Sequence, residues 1–155
     1  MGYTTDFMGE FKLDREADIE LQRILKGLCQ TRRVKRRVDE IKYGIEGEFY
    51  FGGTGYKGQD EDPTIIDHNR PPITQPGLWC QWKLQDDNIT IAWDNGEKFY
   101  DYIDWIKYII ERILKPRKYK LNGIVEWHGE SWDAFGMIII KNNKVTIKNG
   151  RITYK

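Results

Sequence analysis

Soft metal ligands are scarce in this chain, whose 155 residues include two histidines and two cysteines. His68 and His128 stand far apart, Cys29 and Cys80 sit in different surroundings, and no pair has the spacing of a zinc site. No Cys-x-x-Cys unit occurs, so the thiols read as free ones in a reducing compartment and no disulfide is expected. Charge of one sign is lacking too. The 25 basic and 24 acidic residues leave +1, which gives no global field to recruit nucleic acid or a membrane surface. No apolar run approaches the roughly 20 residues that cross a bilayer. Met1-Gly2-Tyr3-Thr4-Thr5-Asp6 has Asp6 where a myristoylation signal needs Ser or Thr, and it lacks the basic flank and apolar stretch of a secretion signal. The expectation is a cytoplasmic protein. Gly-x-Ser-x-Gly and P-loop patterns are missing as well, and Gly52-Gly53-Thr54-Gly55 follows a strand pattern without opening a helix.

What is present is aromatic and well patterned, with 14% Phe, Trp and Tyr in a chain of one-domain length, residues 1–155. Tyr3 to Leu13 alternates as a strand with Phe7 and Phe11 on one side. Ile19, Leu21, Ile24, Leu25 and Leu28 follow at helical spacing and predict a helix running to about Val38. Its end would carry Arg32, Arg33, Lys35, Arg36 and Arg37, a cluster that the helix macrodipole favours. Gly44 to Phe51 reads as a second strand. Leu78 to Gln85 and Asn88 to Trp93 form a hairpin across Asp86-Asp87. A second helix is predicted over Glu97 to Leu114, with Asp94 as N-cap, Glu97 completing a capping box, and Pro116 as the stop. Its apolar arc of Phe99, Tyr102, Ile103, Trp105, Ile106, Ile109, Ile110 and Ile113 is too wide for an exposed helix. Leu121 to Trp127, Phe135 to Asn142 and Lys144 to Tyr154 complete the chain as strands, with turns at Asn142-Asn143 and Asn149-Gly150. The order β-α-β-β-β-α-β-β-β describes an α+β domain with a mostly antiparallel sheet and two main helices.

One segment is not written like a core strand. Between Ile66 and Tyr100 three tryptophans are interleaved with amides, carboxylates and an arginine. Indole and guanidinium faces beside Asn and Gln side chains suit a pocket for a planar, polar ligand. Leading into it, residues 52–77 hold five glycines and all but one of the five prolines. A loop of about 25 residues is long for a compact domain, and such loops are usually functional or disordered. Ile65-Ile66 and Pro71-Pro72 anchor its second half, while Asp60-Glu61-Asp62 with Asp67 reads as a solvated acidic stretch before it reads as a magnesium or calcium site.

Met1-Gly2-Tyr3-Thr4-Thr5-Asp6-Phe7, the Gly47-Glu48-Phe49 strand, Asn69-Arg70-Pro71-Pro72, Gln75-Pro76-Gly77-Leu78-Trp79-Cys80-Gln81-Trp82 and the run from Trp93-Asp94 through Gly96-Glu97-Lys98-Phe99-Tyr100 resemble an uncharacterised family of small bacterial and bacteriophage proteins. The resemblance covers nearly the whole chain and brings no activity with it. It allows a phage origin and, with that, an anti-defence role. His68 departs from the aromatic often found before the Asn in that family, so no catalytic role is assigned to it.

No catalytic constellation is complete, and neither a metal nor a cofactor is called for. The leading expectation is a binding protein for a small nucleotide-like ligand, a host defence signal. The candidate ligand-binding residues are Asp67, Asn69, Arg70, Gln75, Trp79, Gln81, Trp82, Trp93, Asp94 and Glu97. Arg70 would take a phosphate or stack on a base, the amides would read donors and acceptors, and the indoles would stack on a ring. Two alternatives stay open. One is a nucleotide-directed hydrolase or nuclease in which Asp67, Asp94, Glu97 or His128 supplies acid–base or metal-ligand groups. The other is a protein-only inhibitor docking on a host defence enzyme. Aromatic and basic residues are segregated, so nucleic acid is not an expected partner. The same polar residues would also serve a rigid loop stitched to the sheet.

Overall fold

The first strand, β1 (Asp6–Leu13), buries Phe7, Phe11 and Leu13 and leaves Met8, Glu10 and Lys12 in solvent, the period-two pattern of a sheet with one covered face. The computed structural model describes residues 2–37, 65–67 and 69–155. Within these, helix α1 (Ile19–Gln30) is capped by Asp18, whose side chain accepts the Leu21 N–H at 2.8 Å, and it buries Leu21, Ile24, Leu25 and Leu28. It is followed by β2 (Lys35–Arg36), β3 (Ile65–Asp67), β4 (Trp82–Leu84), β5 (Thr90–Trp93), helix α2 from Tyr102, β6 (Leu121–His128), β7 (Phe135–Lys141) and β8 (Lys144–Asn149).

Six strands form one antiparallel sheet in the order β4-β5-β1-β6-β7-β8, and β2 and β3 form a separate short ribbon. β1 pairs with β6 over its whole length, Asp6 opposite His128 and Leu13 opposite Leu121. Gly9 and Gly123 hold positive φ in this pair, and a Cβ on either would sit 2.4 Å from a carbonyl oxygen of the facing strand. The Asn142-Asn143 turn has both residues left-handed, as a tight hairpin requires. Both helices contribute to one core, in which Phe7, Phe11, Trp82, Phe99 and Trp105 meet the aliphatic rows of α1, α2 and the sheet. Among the described residues, the α+β architecture with an antiparallel sheet and two helices is as the sequence predicts. No helix among the described residues is long and apolar enough to cross a membrane.

Several boundaries differ from the sequence reading, four of them with a bearing on the site or the turns. α1 stops at Gln30, short of Val38, because Thr31 turns extended and its hydroxyl donates back to the Gly27 carbonyl. The following backbone is then claimed by tertiary partners, Arg33 N–H by the Leu78 carbonyl and Lys35 N–H by that of Arg70. The basic run therefore leaves the helix, and the macrodipole does not hold it. α2 begins at Tyr102 and not at Glu97. The Asp94 carboxylate accepts the Gly96 N–H at 2.8 Å, closing a local turn and not capping a helix. The hairpin strand β4 starts at Trp82, so Leu78 to Gln81 are irregular. β8 ends at Asn149, and Gly150 makes no hairpin but donates to the Phe135 carbonyl. The expected strand Gly44–Phe51 and the loop residues 52–64 lie outside the described residues.

α2 is regular over Tyr102–Tyr108, widens to π-helical turns over Ile109–Leu114, and closes with a tight turn over Lys115–Arg117. Pro116 sits in that last turn, as a stop signal should.

Candidate functional site

The loop from Asn69 to Gln81 is held in place by backbone hydrogen bonds, not by strand pairing. Leu78 and Arg70 carbonyls accept from Arg33 and Lys35, and Gln75 N–H donates to the Pro72 carbonyl. The ribbon pairs Lys35 with Asp67 and Arg36 with Ile65. Inside, the buried Arg33 guanidinium donates to the Gln75 side-chain oxygen at 3.3 Å and to the Gly27 carbonyl at 3.2 Å. This loop faces a second irregular stretch, residues 94–101. Three of its non-glycine residues, Asn95, Lys98 and Asp101, have φ between 56° and 65°. Left-handed conformations of this kind cost of order 1 kcal/mol or more each and cluster at functional sites.

Between the two stretches lies an open cavity of about 580 Å³, within the usual size range of small-ligand sites. Asn69, Pro71, Pro76, Gly77, Leu78 and Trp79 line one side. Gln81, Glu97, Lys98, Tyr100 and Asp101 line the other. The Tyr100 ring is half exposed, and its hydroxyl accepts the Tyr3 N–H at 3.1 Å, which fixes the ring as a wall. A smaller cavity of about 380 Å³ adjoins it, sharing Trp79, Gln81 and Glu97 and adding Cys29, Cys80, Asp94 and Gly96.

Gln81 is the post between them. Its amide nitrogen donates to the Glu97 carbonyl at 2.8 Å, and its oxygen accepts the Trp93 indole N–H at 3.1 Å. At the cavity floor Gly77 comes so close to α2 that a Cβ there would stand 3.2 Å from an Asp101 carboxylate oxygen and 3.5 Å from the Trp105 indole nitrogen. Two buried donors near this wall, Trp105 Nε1 and Gln75 Nε2, have no hydrogen-bond partner among the described residues. Buried donors are rarely left so, and each costs roughly 1–3 kcal/mol. Partial burial raises the pKa of the Asp101 carboxyl above the ordinary value of 3.8, and the Asp104 charge adds to it. Burial raises Asp94 in the same way, against the Gly96 hydrogen bond and the Lys83 charge.

Of the ten sequence candidates, Asn69, Trp79, Gln81 and Glu97 line the larger cavity, and Asp94 joins three of them at the smaller one. The others stand apart. Trp82 is 1% exposed, at the centre of the core, with its indole N–H on the Tyr102 carbonyl. Trp93 packs against the core beside Phe7 and spends its N–H on Gln81 and Gly96. Gln75 is buried against Arg33. Arg70 is exposed on the surface, 3.7 Å from Asp67, whose other oxygen accepts the Asn69 N–H. His128 is exposed and stacked on Phe135, away from both cavities. Among the described residues no three His, Cys, Asp or Glu side chains are grouped to hold a metal ion.

Tyr100, Lys98 and Asp101 were not picked out from sequence, although Lys98 and Tyr100 close the Trp-Asp-x-Gly-Glu-Lys-Phe-Tyr block. A helix starting at Glu97 would have carried them away along its axis. The left-handed residues instead keep the chain irregular until Tyr102 and set it beside Trp79. Comparison with family models, with curated proteins and with solved structures finds no match for this chain.

Proposed function

We propose that this is a small binding protein of phage or bacterial origin, acting in the cytoplasm, that sequesters a nucleotide-like ligand in the Trp79–Tyr100 cavity, with a host defence signal as the biological ligand. The observation that supports this reading is the cavity itself, about 580 Å³, walled by two aromatic rings and edged by polar groups of both kinds. A base enters between Trp79 and Tyr100, where stacking contributes roughly 1–3 kcal/mol per ring by analogy with single-strand binding. The Asn69 amide both donates and accepts, and the Glu97 and Asp101 carboxylates accept from amino or ribose hydroxyl groups. Phosphates stay at the mouth, near Lys98 and Arg70. Arg70 sits between two lining residues, and its exposed ion pair with Asp67 is weak enough to be exchanged for a phosphate. Pro71 and Pro76 stiffen the wall and lower the ordering cost of binding.

The test is to heat the purified protein, identify released small molecules by mass spectrometry and ultraviolet absorbance, and titrate cyclic dinucleotides and adenosine-diphosphate-ribose derivatives by thermal shift. The expected result is a released or added nucleotide that raises the melting temperature of wild type but not of Trp79→Ala or Tyr100→Ala. If no compound is released and none stabilises wild type more than these variants, the reading fails.

A hydrolase is the second reading, and one observation favours it: Asp94, its carboxyl pushed up by burial, lines the smaller cavity together with Glu97. Absence of turnover of the same nucleotides, with and without divalent cations, would discard it.

A further inference from the structure

Cys29 and Cys80, unrelated in sequence spacing, are neighbours in space. Cys29 lies in the last turn of α1 and is partly exposed, while Cys80 is 1% exposed in the irregular approach to β4. Both thiols line the 380 Å³ cavity, and Cys29 donates at 2.6 Å to the carbonyl of Trp82, two residues beyond Cys80. A pair so placed can be bridged if the backbone brings the two Cβ atoms to within disulfide reach. Of the sites outside the ligand cavity, this is where reactive groups converge.

We propose that Cys29 and Cys80 form a dithiol site that a small disulfide of the glutathione class oxidises to an intramolecular disulfide, with Cys29 as the entry thiol and Cys80 as the resolving one. The Cys29 thiolate attacks one sulfur of glutathione disulfide. The oxidant's S–S bond breaks, and one glutathione leaves with the proton that Cys29 gave up. Cys80 then attacks the Cys29 sulfur of the mixed disulfide, and the second glutathione leaves with the Cys80 proton. Two protein S–H bonds become one S–S bond, and the two electrons end on the two glutathione thiols. Accessibility decides the order, since Cys29 is partly exposed and Cys80 is covered.

The surroundings set the pace. The Cys80 thiol, burial and the Asp94 charge all raise the Cys29 pKa well above its ordinary value of 9.0, and the Arg33 charge opposes them only in part. At neutral pH Cys29 is therefore held as a thiol, and exchange accelerates as the pH rises. The bridge would fasten α1 to the residue between Trp79 and Gln81, both of which line the two cavities. It does not depend on what either cavity binds.

The experiment equilibrates the full chain in a series of reduced and oxidised glutathione mixtures, quenches with acid, alkylates free thiols and measures the intact mass. The expected outcome is passage from two alkylated cysteines to none, with a loss of two hydrogens and no glutathione retained. Peptide mapping of the oxidised wild type should yield a Cys29–Cys80 cross-linked pair, a readout that needs no variant. Cys80→Ala should trap one glutathione on Cys29, and Cys29→Ala should trap none. A wild-type protein that keeps a glutathione adduct, forms disulfide-linked dimers, or stays doubly alkylated in the most oxidising mixture overturns the proposal.

Discussion

Replacing Trp82 with phenylalanine asks what the indole between Gln81 and Lys83 is for. Its ring makes edge-on contacts with Phe7, Phe11 and Phe99 at centroid distances of 5.2, 5.4 and 5.2 Å, and its N–H reaches the Tyr102 carbonyl at 2.8 Å. Phenylalanine retains part of the edge-on packing, so the loss is the hydrogen bond, about 1 kcal/mol net, and the void left by the smaller ring. The void adds about 1–2 kcal/mol, on the scale of core truncations. The sum is about 2–3 kcal/mol, and Trp82→Ala should cost about 3–5 kcal/mol. Against a usual domain stability of about 5–15 kcal/mol, the alanine variant is near the edge of folding. At about 2–4 °C per kcal/mol, the phenylalanine variant should melt roughly 4–12 °C below wild type. The assay is urea unfolding by far-ultraviolet circular dichroism, with the slope unchanged and the midpoint shifted. Trp79→Phe, at a half-buried position on the cavity wall, is the control and should cost less. A Trp82→Phe protein within about 0.5 kcal/mol of wild type, the range of ordinary surface substitutions, or one more stable than Trp79→Phe, would refute the division between core and cavity tryptophans.

Two further predictions concern carboxylates. Asp101 has its pKa raised by burial and by Asp104, so the stability it confers is full below 3.8 and is lost as the pH climbs through its native value. Asp101→Asn should remove that pH dependence and raise the midpoint of urea unfolding at pH 7, helped by the tolerance of Asn for the left-handed backbone found there; an unchanged or lower midpoint would count against it. Asp87 has the opposite sign. Hydrogen bonds from Thr90 and Ile89 lower its pKa to about 2, so its contribution is present above 3.8 and lost as the pH falls toward 2. Its carboxyl carbon resonance should titrate near that value by nuclear magnetic resonance, and a midpoint near 3.8 would contradict the turn geometry.

The parts of the fold that could be read from sequence are those fixed by local rules. Phe7 and Phe11 alternate, the α2 row repeats every three or four residues, and Asn142-Asn143 has the backbone its turn needs. Where tertiary partners outbid local ones, local rules do not predict the structure. Arg32 to Arg37 have good helix propensity, yet the Leu78 and Arg70 carbonyls draw the Arg33 and Lys35 backbone into extended pairing. Asp94 and Glu97 have the spacing of a capping box, yet Gly96 takes the Asp94 carboxylate. The segment holding the cavity was visible as an unusual mixture of indoles and amides. Which indole faces the cavity was not, because Trp79, Trp82 and Trp93 carry the same polar handle and differ only in what surrounds them. The meeting of Cys29 and Cys80 has no signature in spacing at all.

The central place of β1 has a consequence for how the chain is made. Its neighbours in the sheet are β5 and β6, so β1 leaves the ribosome ahead of both its partners, which are encoded far downstream. Until Leu121 to His128 have emerged, Phe7 and Phe11 lack one of the strands that flank them, and the β1 edge that β6 covers carries unpaired backbone groups. Non-local pairing of this sort is slow, whereas β6, β7 and β8 are consecutive hairpins that can form as soon as they appear. Synthesis arrested at Lys120 should therefore leave Asp6 to Leu13 open to proteolysis, and the same strand should become resistant once the C-terminal hairpins have been added.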